Sequence, residues 1–354
     1  MKSALIAMSG GVDSSVAALL VSESGMNCIG ATMKLFENGD TLLKNEKACC
    51  SLEDSEDARS VAVKLGMPYY VFNFTDQFRE SVIERFINSY ENGITPNPCI
   101  DCNRYLKFEK LFERMTILGC DKVVTGHYAR VAEKDGKYCL LKGLDESKDQ
   151  SYVLYRLTQK ELSHVVFPLG ELRKTETRQI AEDNGFINAR KKDSQDICFV
   201  PDGDYASVIE KYSGKTYEEG DFVLQDGSVI GKHKGILHYT IGQRKGLGIA
   251  YEHPLYVCNI CPKENRVVLS DNDALFSSSA EIKDVNWISG SIPDKAVECT
   301  VKIRYKAKEV KALVTASEDG TAHVEFSMPQ RAVTPGQSCV FYDGEYCIGG
   351  GVFI

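Results

Sequence analysis

The first two hundred positions alternate between short apolar runs and longer stretches with helical spacing. "SALIAM", beginning at Ser3, has the length of a buried strand, and "SSVAALLVSES" after it places its apolar residues on a helical face. "NCIGATMKLF" predicts the next strand. "DSEDARSVAVKLG" predicts a helix with Ala58, Val61, Ala62 and Leu65 on one side, closed by Gly66. "PYYVFNF" reads as a third strand. "DQFRESVIERFINSYENG" is an amphipathic helix with Phe78, Val82, Phe86 and Tyr90 in a row, "CNRYLKFEKLFERMTILG" is another, and "KVVTGHY" returns to strand. Strands alternating with helices predict a parallel sheet covered on both faces, with ligands at the carboxyl ends of its strands.

Beyond Pro201 the pattern changes. After a last helix, "YASVIEKYSG", short alternating strands take over, and the pairs Asp226-Gly227, Asp319-Gly320 and Asp343-Gly344 mark hairpins. The expected fold is α/β: a doubly wound parallel sheet over residues 1–202, a small mostly β linker domain over 203–272, and a C-terminal β-barrel over 273–354.

Composition narrows the class. No apolar run approaches the ~18 residues of a membrane span. The apolar start of the chain leads directly into a glycine loop, so it reads as a first strand and not a signal peptide. Thirteen cysteines, an odd number without a secretory signal, point to reduced thiols and a cytoplasmic protein. A net charge of −8 argues against a general nucleic-acid coat. The charge is uneven, however. "IGKHKGILHYTIGQRKGLGI" (Ile230–Ile249) and "VKIRYKAK" (Val301–Lys308) each hold four Lys or Arg and no acid. Each suits either a phosphate backbone or a solvated strand face.

The glycine loop is "SGGVDSSV", Ser9–Val16, set between a strand and a helix. Gly10 and Gly11 let an anion approach the backbone, the helix offers free N–H groups, and Ser9, Ser14 and Ser15 add hydroxyls. The Lys of a Walker loop is missing. The string resembles the SGGxDS signature of the PP-loop ATP pyrophosphatases (adenine nucleotide α-hydrolase-like). That resemblance implies that Ser9, Gly10, Gly11, Asp13, Ser14 and Ser15 hold the leaving pyrophosphate of ATP, with Mg2+.

Two further segments carry thiols. "TPNPCIDCNRYLKF" places Cys99 and Cys102 in a CxxC just before a helix, where a thiolate is favoured, and "DSQDICFV" holds Cys198. Taken alone, Cys198 also reads as a small core residue. Cys258 and Cys261 form another CxxC without the second pair of a zinc ribbon, and neither they nor Cys49 and Cys50 acquire a role.

Taken together, these segments resemble the tRNA-specific 2-thiouridylases nearly end to end. The matching stretches include "TGHYAR" (Thr125–Arg130), "DESKDQSYVLYRL" (Asp145–Leu157), "HYTIGQRKGLGI" (His238–Ile249) and the closing "RAVTPGQSCVFYDG". The resemblance implies a tRNA-uridine 2-sulfurtransferase. ATP adenylates O2 of the wobble uridine, and sulfur carried as a persulfide on Cys198, delivered by a cysteine desulfurase or relay protein, replaces that oxygen. Cys102 is the second catalytic thiol, and a Cys102–Cys198 disulfide remains. The tRNAs implied are those for Lys, Glu and Gln.

The resemblance further implies that Ala7, Met8, Val12, Met33 and Gly126 complete the ATP pocket. Asn97, Pro98 and Cys99 would flank the extruded base. His127, Lys148, Asp149, Gln150, Arg304, Tyr305 and Gln337 would meet RNA, His127 having also the plain reading of a core histidine. At position 99 the family pattern often has Asp, and here it has Cys, which puts the acid–base role of that position in doubt. Cys99, Cys102 and Cys198 could instead hold a [4Fe–4S] cluster, and the cluster and persulfide routes both stay open. Other PP-loop enzymes, an amidating ligase or a thiolase of another tRNA position, are the alternative, and an inactive RNA-binding or iron–sulfur storage protein is a third reading.

Overall fold

The computed structural model describes residues 2–36, 52–193, 197–200 and 203–354. Cys49, Cys50 and the central part of "DSQDICFV" (194–196) lie outside the described residues.

Alternate residues of the first strand point to opposite sides of a parallel sheet, and each side has its own apolar cluster. The strands are β1 (Ser3–Ala7), β2 (Asn27–Lys34), β3 (Tyr69–Asn73), β4 (Lys122–Val124), β5 (Ala129–Lys134), β6 (Lys137–Lys142) and β7 (Val165–Val166). The sheet runs β3-β2-β1-β4-β7 with every pairing parallel. Ala4 and Ile6 pack with α1 (Val12–Glu23), α2 (Leu52–Lys64) and the helix Lys174–Asp183. Leu5 packs on the other face with Phe78, Val82 and Phe86. This is the doubly wound arrangement expected from the strand–helix alternation.

β4 ends at Val124, four residues earlier than "KVVTGHY" suggested. Gly126 comes so close to the first turn of α1 that a Cβ on it would lie 2.9 Å from the Ser14 nitrogen. The chain therefore leaves the sheet there and crosses the mouth of the glycine loop.

β5 and β6 form a hairpin that the sequence reading did not contain. Its turn is Asp135-Gly136, both with positive φ (52° and 72°), the same Asp-Gly signal that marked the later hairpins. β6 then pairs with the barrel, Leu140 opposite Cys347 and Leu141 opposite Tyr346.

The linker holds a four-stranded sheet of β8 (Gly220–Leu224), β9 (Val229–His233), β10 (Tyr256–Cys261) and β11 (Arg266–Ser270), in the order β10-β11-β8-β9. The last strands are β12 (Phe276–Trp287), β13 (Val297–Lys302), β14 (Val310–Ala316), β15 (Ala322–Arg331), β16 (Ser338–Asp343) and β17 (Tyr346–Phe353). They run β12-β15-β14-β13-β16-β17, and a β12–β17 pairing closes them into a barrel. The interior holds Val301, Val314, Val324, Phe341 and Phe353. Among the described residues no helix is long and apolar enough to cross a membrane.

Candidate active site

The loop between β1 and α1 is held from three sides. Gly10 has φ +75°, and a Cβ there would overlap the Asp54 backbone, so α2 presses directly on the turn. Asn188 donates from Nδ2 to the Gly10 carbonyl at 2.8 Å and to Ser15 Oγ at 2.9 Å from the opposite side. Thr32 of β2 donates to the Met8 carbonyl at 2.5 Å, and the Met8 amide donates to Ala31 at 2.8 Å. Ser14 and Ser15 donate to the Gly11 carbonyl at 3.0 and 3.1 Å, and Ser14 Oγ also accepts the Ser9 amide at 3.1 Å. Gly11 caps α1 in extended geometry without a side chain over the helix end. Ala7 ends β1, Val12 begins α1 and Met33 is buried in β2.

A cation stands at this loop although no Walker Lys precedes the helix. Lys174 Nζ lies 2.7 Å from both oxygens of Asp13 and 2.9 Å from Asp193. Tyr128 donates to Asp13 Oδ1 at 2.8 Å. Burial, reinforced by the Asp13 charge, raises its pKa and keeps the phenol protonated. Burial acts to raise the Asp193 pKa, but hydrogen bonds from Lys148 and Lys174 outweigh it and bring it down to about 2. Lys174 escaped the sequence reading. The signal was present: Arg173 and Lys174 sit at the N-terminus of a helix, where the dipole disfavours cations, so a partner anion was required.

The CxxC opens a long helix. Asn97 caps it by accepting the Cys99 amide at 3.2 Å, and Pro98 takes the first helical position. The segment Pro98–Asp101 continues into a stretch wound with i→i+5 bonds, Cys102–Lys110, a geometry frequent at functional sites. Cys99 is exposed, whereas Cys102 and Cys198 are half-buried and pack against the same apolar cluster. All three thiols belong to the described residues. Among those residues there is no group of three or more His, Cys, Asp or Glu placed to hold a metal ion.

The barrel grips the loop ahead of the CxxC. Gln337 donates from Nε2 to the carbonyls of Thr95 (2.9 Å) and Pro96 (3.3 Å), and the Thr95 amide donates to Pro335 at 3.0 Å. Tyr305 donates to the Asp149 carbonyl at 3.1 Å. Burial raises its pKa, and charge on Asp149 and Cys99 adds to the effect, which puts the phenol within electrostatic reach of Cys99. Arg304 donates to the carbonyls of Arg331 and Ala332 at 3.0 and 3.2 Å.

Other residues expected to meet RNA are placed inward. His127 is 6% exposed, lies against Phe108 and Phe167, and has Nδ1 2.7 Å from Thr125 Oγ1. Burial, followed by the Lys107 charge, lowers its pKa well below the usual value. This is the environment of a neutral core histidine. Asp149 is buried and accepts from Gly143, Ser151 N and Ser151 Oγ, while Gln150 accepts the Tyr128 amide at 3.0 Å. Lys148 pairs with Asp193 at 2.8 Å, on the side of the glycine loop.

Comparison with known proteins agrees along the whole chain. Residues 2–202 match the tRNA methyl transferase HUP domain, 206–271 the tRNA methyl transferase PRC-barrel domain, and 277–353 the aminomethyltransferase beta-barrel domain. The chain is 48% identical over 354 residues to a tRNA-specific 2-thiouridylase MnmA of Clostridioides difficile, covering 99% of this chain and 98% of the relative. It is 47% identical over 351 residues to a protein of the same name from Clostridium acetobutylicum, with 99% of each covered. A third relative of that name, from Acetivibrio thermocellus, is 48% identical over 354 residues, again with 99% of each covered. With the glycine loop, the two thiol segments and the barrel in these positions, the chain belongs to the tRNA-specific 2-thiouridylase family.

Proposed function

We propose that this protein is an ATP-dependent tRNA-uridine 2-sulfurtransferase that converts the wobble uridine of tRNA to 2-thiouridine, releasing AMP and pyrophosphate. The observation that carries it is the presence, in one domain, of the glycine loop "SGGVDSS", braced by Asn188 and Lys174, and of two thiols, Cys102 and Cys198, against one apolar cluster. The family descriptions mention methyl transfer, which has no use for a loop that holds pyrophosphate.

The uridine O2 is a poor leaving group. Its attack on the α-phosphorus of ATP makes it a phosphate ester and expels pyrophosphate. The amides at the start of α1 and the Lys174 ammonium meet the charge that develops on the pyrophosphate. Asp13 supplies the carboxylate that suits a Mg2+ ion, whose part would be to neutralise phosphate charge. Asn97, Pro98 and Cys99 border the extruded base, with Tyr305 beside them. Arg304 and Gln337 act from the barrel.

Sulfur arrives as a Cys198 persulfide, loaded by a cysteine desulfurase or relay protein. Its terminal sulfur attacks C2 and AMP leaves. The Cys102 thiolate then attacks the Cys198 sulfur, which breaks the S–S bond, leaves the thiocarbonyl on the base and forms a Cys102–Cys198 disulfide. An external dithiol returns both thiols. No step requires Cys99 as a cluster ligand.

The test is anaerobic. Protein with and without iron–sulfur reconstitution is mixed with ATP, Mg2+, a cysteine desulfurase with cysteine, and unmodified tRNA for Lys, Glu or Gln. Digested nucleosides are read by mass spectrometry. Thiouridine formed without iron, and lost in Cys102→Ala and Cys198→Ala, is the expected result. Product only after reconstitution would replace the persulfide route with a cluster. ATP turnover without thiouridine would move the chain to another PP-loop substrate.

A further inference from the structure

The helix that opens at Pro98 carries more than its thiols. Asp101, Arg104 and Tyr105 lie in its first turns. Arg85, from the neighbouring helix, brings Nε to 3.7 Å from Asp101 Oδ2. The guanidinium carbons of Arg85 and Arg104 lie 5.1 and 4.9 Å from the centre of the Tyr105 ring. Arg156 stacks on Tyr155 at 5.3 Å and donates from Nε to the Tyr155 hydroxyl at 3.0 Å.

Asp101 faces all three cations. Burial raises its pKa, and Arg85, Arg156 and Arg104 act against that rise. Nearby carboxylates are committed elsewhere: Glu84 pairs with Arg79 at 3.5 Å, and Glu161 accepts the Thr158 amide and hydroxyl at 2.7 and 2.8 Å. Asp101 is the carboxylate that faces all three guanidinium groups, with Glu161 in the same cleft as Arg104 and Arg156. Arg85 and Arg104 are exposed, on a chain whose net charge is −8. Contact with an aromatic ring limits the freedom of each side chain, and a guanidinium offers five N–H donors in a fork that suits phosphate better than an ammonium.

We infer that Arg85, Arg104 and Arg156 form a phosphate-binding surface that holds the backbone of the substrate RNA strand beside the base-accepting loop Asn97–Cys102. This rests on the thiolation reading and extends it to a surface outside the two basic stretches seen in the sequence. RNA is favoured over an acidic protein because the surface is small, aromatic-lined and adjoins the loop that takes the base.

Full-length protein and the variants Arg85→Gln, Arg104→Gln, Arg156→Gln and their triple combination would be titrated with unmodified tRNA over a salt series. Each lost phosphate contact should lower the slope of log K against log salt by about 0.7–0.9. The triple variant should bind at least about tenfold more weakly at low salt. Persulfide loading of Cys198 by the desulfurase should not change, and Arg→Lys at the three positions should restore most of the slope. If the triple variant does not fold, the singles at the exposed Arg85 and Arg104 carry the test. An unchanged slope and affinity overturns the inference. So does normal tRNA binding with failed sulfur loading, which would make this face a dock for the donor protein. Wild-type protein that neither binds nor thiolates tRNA would instead sink the functional reading itself.

Discussion

Lys174 Nζ lies 2.7 Å from each carboxylate oxygen of Asp13, joining the first turn of α1 to a helix 161 residues further along. On the proposed reaction, the pair puts an ammonium where pyrophosphate charge must be met, without a Walker motif. Lys174→Gln should reduce ATP-to-AMP turnover about 10²–10³-fold, the scale of losing one fixed donor to a developing charge. Removing one partner of a half-buried pair also destabilises, so the double variant Asp13→Asn with Lys174→Gln provides the control. It should recover thermal stability and leave turnover low. Recovery of both would make the pair purely structural.

Asn188 spends its amide nitrogen on the Gly10 carbonyl and Ser15 hydroxyl, and its buried Oδ1 has no partner among the described residues. Asn188→Ala should cost about 1–3 kcal/mol in urea unfolding, the scale for unpairing buried polar groups. On the proposed role of the loop it braces in holding phosphate, KM for ATP should rise more than kcat falls. An unchanged KM would show that α2 alone fixes the loop.

His127 gives a pH dependence whose sign is fixed by burial. Its folded pKa is lowered well below the ordinary 6.5, so between those two values the unfolded chain binds the extra proton. Its contribution to stability is complete above about pH 6.5 and is lost as pH falls toward the folded value, at up to about 1.4 kcal/mol per pH unit. His127→Gln should flatten urea midpoints measured between about pH 7.5 and pH 5.5. Asp193 acts in a separate, more acidic window, from its ordinary 3.8 down to about 2. A wild-type midpoint that stays flat would place the ring in solvent.

Gln337 ties the barrel to the carbonyls of Thr95 and Pro96, two residues ahead of the base-accepting loop. Gln337→Ala should lower kcat for thiolation about tenfold through a misplaced loop, with tRNA affinity and ATP binding held. Loss of tRNA affinity with kcat preserved would make Gln337 an RNA contact instead.

The doubly wound sheet and the barrel were legible because periodicity marks both: β1 is a short apolar run, and the Asp-Gly pairs at 226, 319 and 343 turn their hairpins. The β5–β6 hairpin carried the same Asp-Gly mark at 135, but it stands where the pattern around it was strand and helix in alternation. Its pairing with β17 joins residues two hundred positions apart and leaves no local trace. The same limit applies within the site. "SGGVDSS" announces a phosphate loop because its residues are consecutive, while Lys174 and Asn188 reach it from far along the chain. Motif matching assigned His127, Asp149 and Gln150 to RNA, but their side chains face the core or the backbone, because motif position carries no information on the direction of a side chain.

The two glycines of the loop should behave differently when given a methyl group. Gly10 has φ +75°, which an L residue adopts at a cost of roughly 1–2 kcal/mol, and its Cβ would overlap the Asp54 backbone as well. Gly10→Ala must therefore push α2 away or twist the turn, and both the melting temperature and ATP binding should fall. Gly11 has φ −86°, and a Cβ there meets only Ser9 Oγ at 3.6 Å. Gly11→Ala should leave the melting temperature of the free protein nearly unchanged. Phosphate must come against the Gly11 backbone to reach the amides of α1, so the same methyl should weaken ATP by at least about tenfold in calorimetric titration, about 1.4 kcal/mol. If Gly11→Ala binds ATP as the wild type does, the phosphates lie elsewhere, and the pyrophosphate role of this loop falls with it.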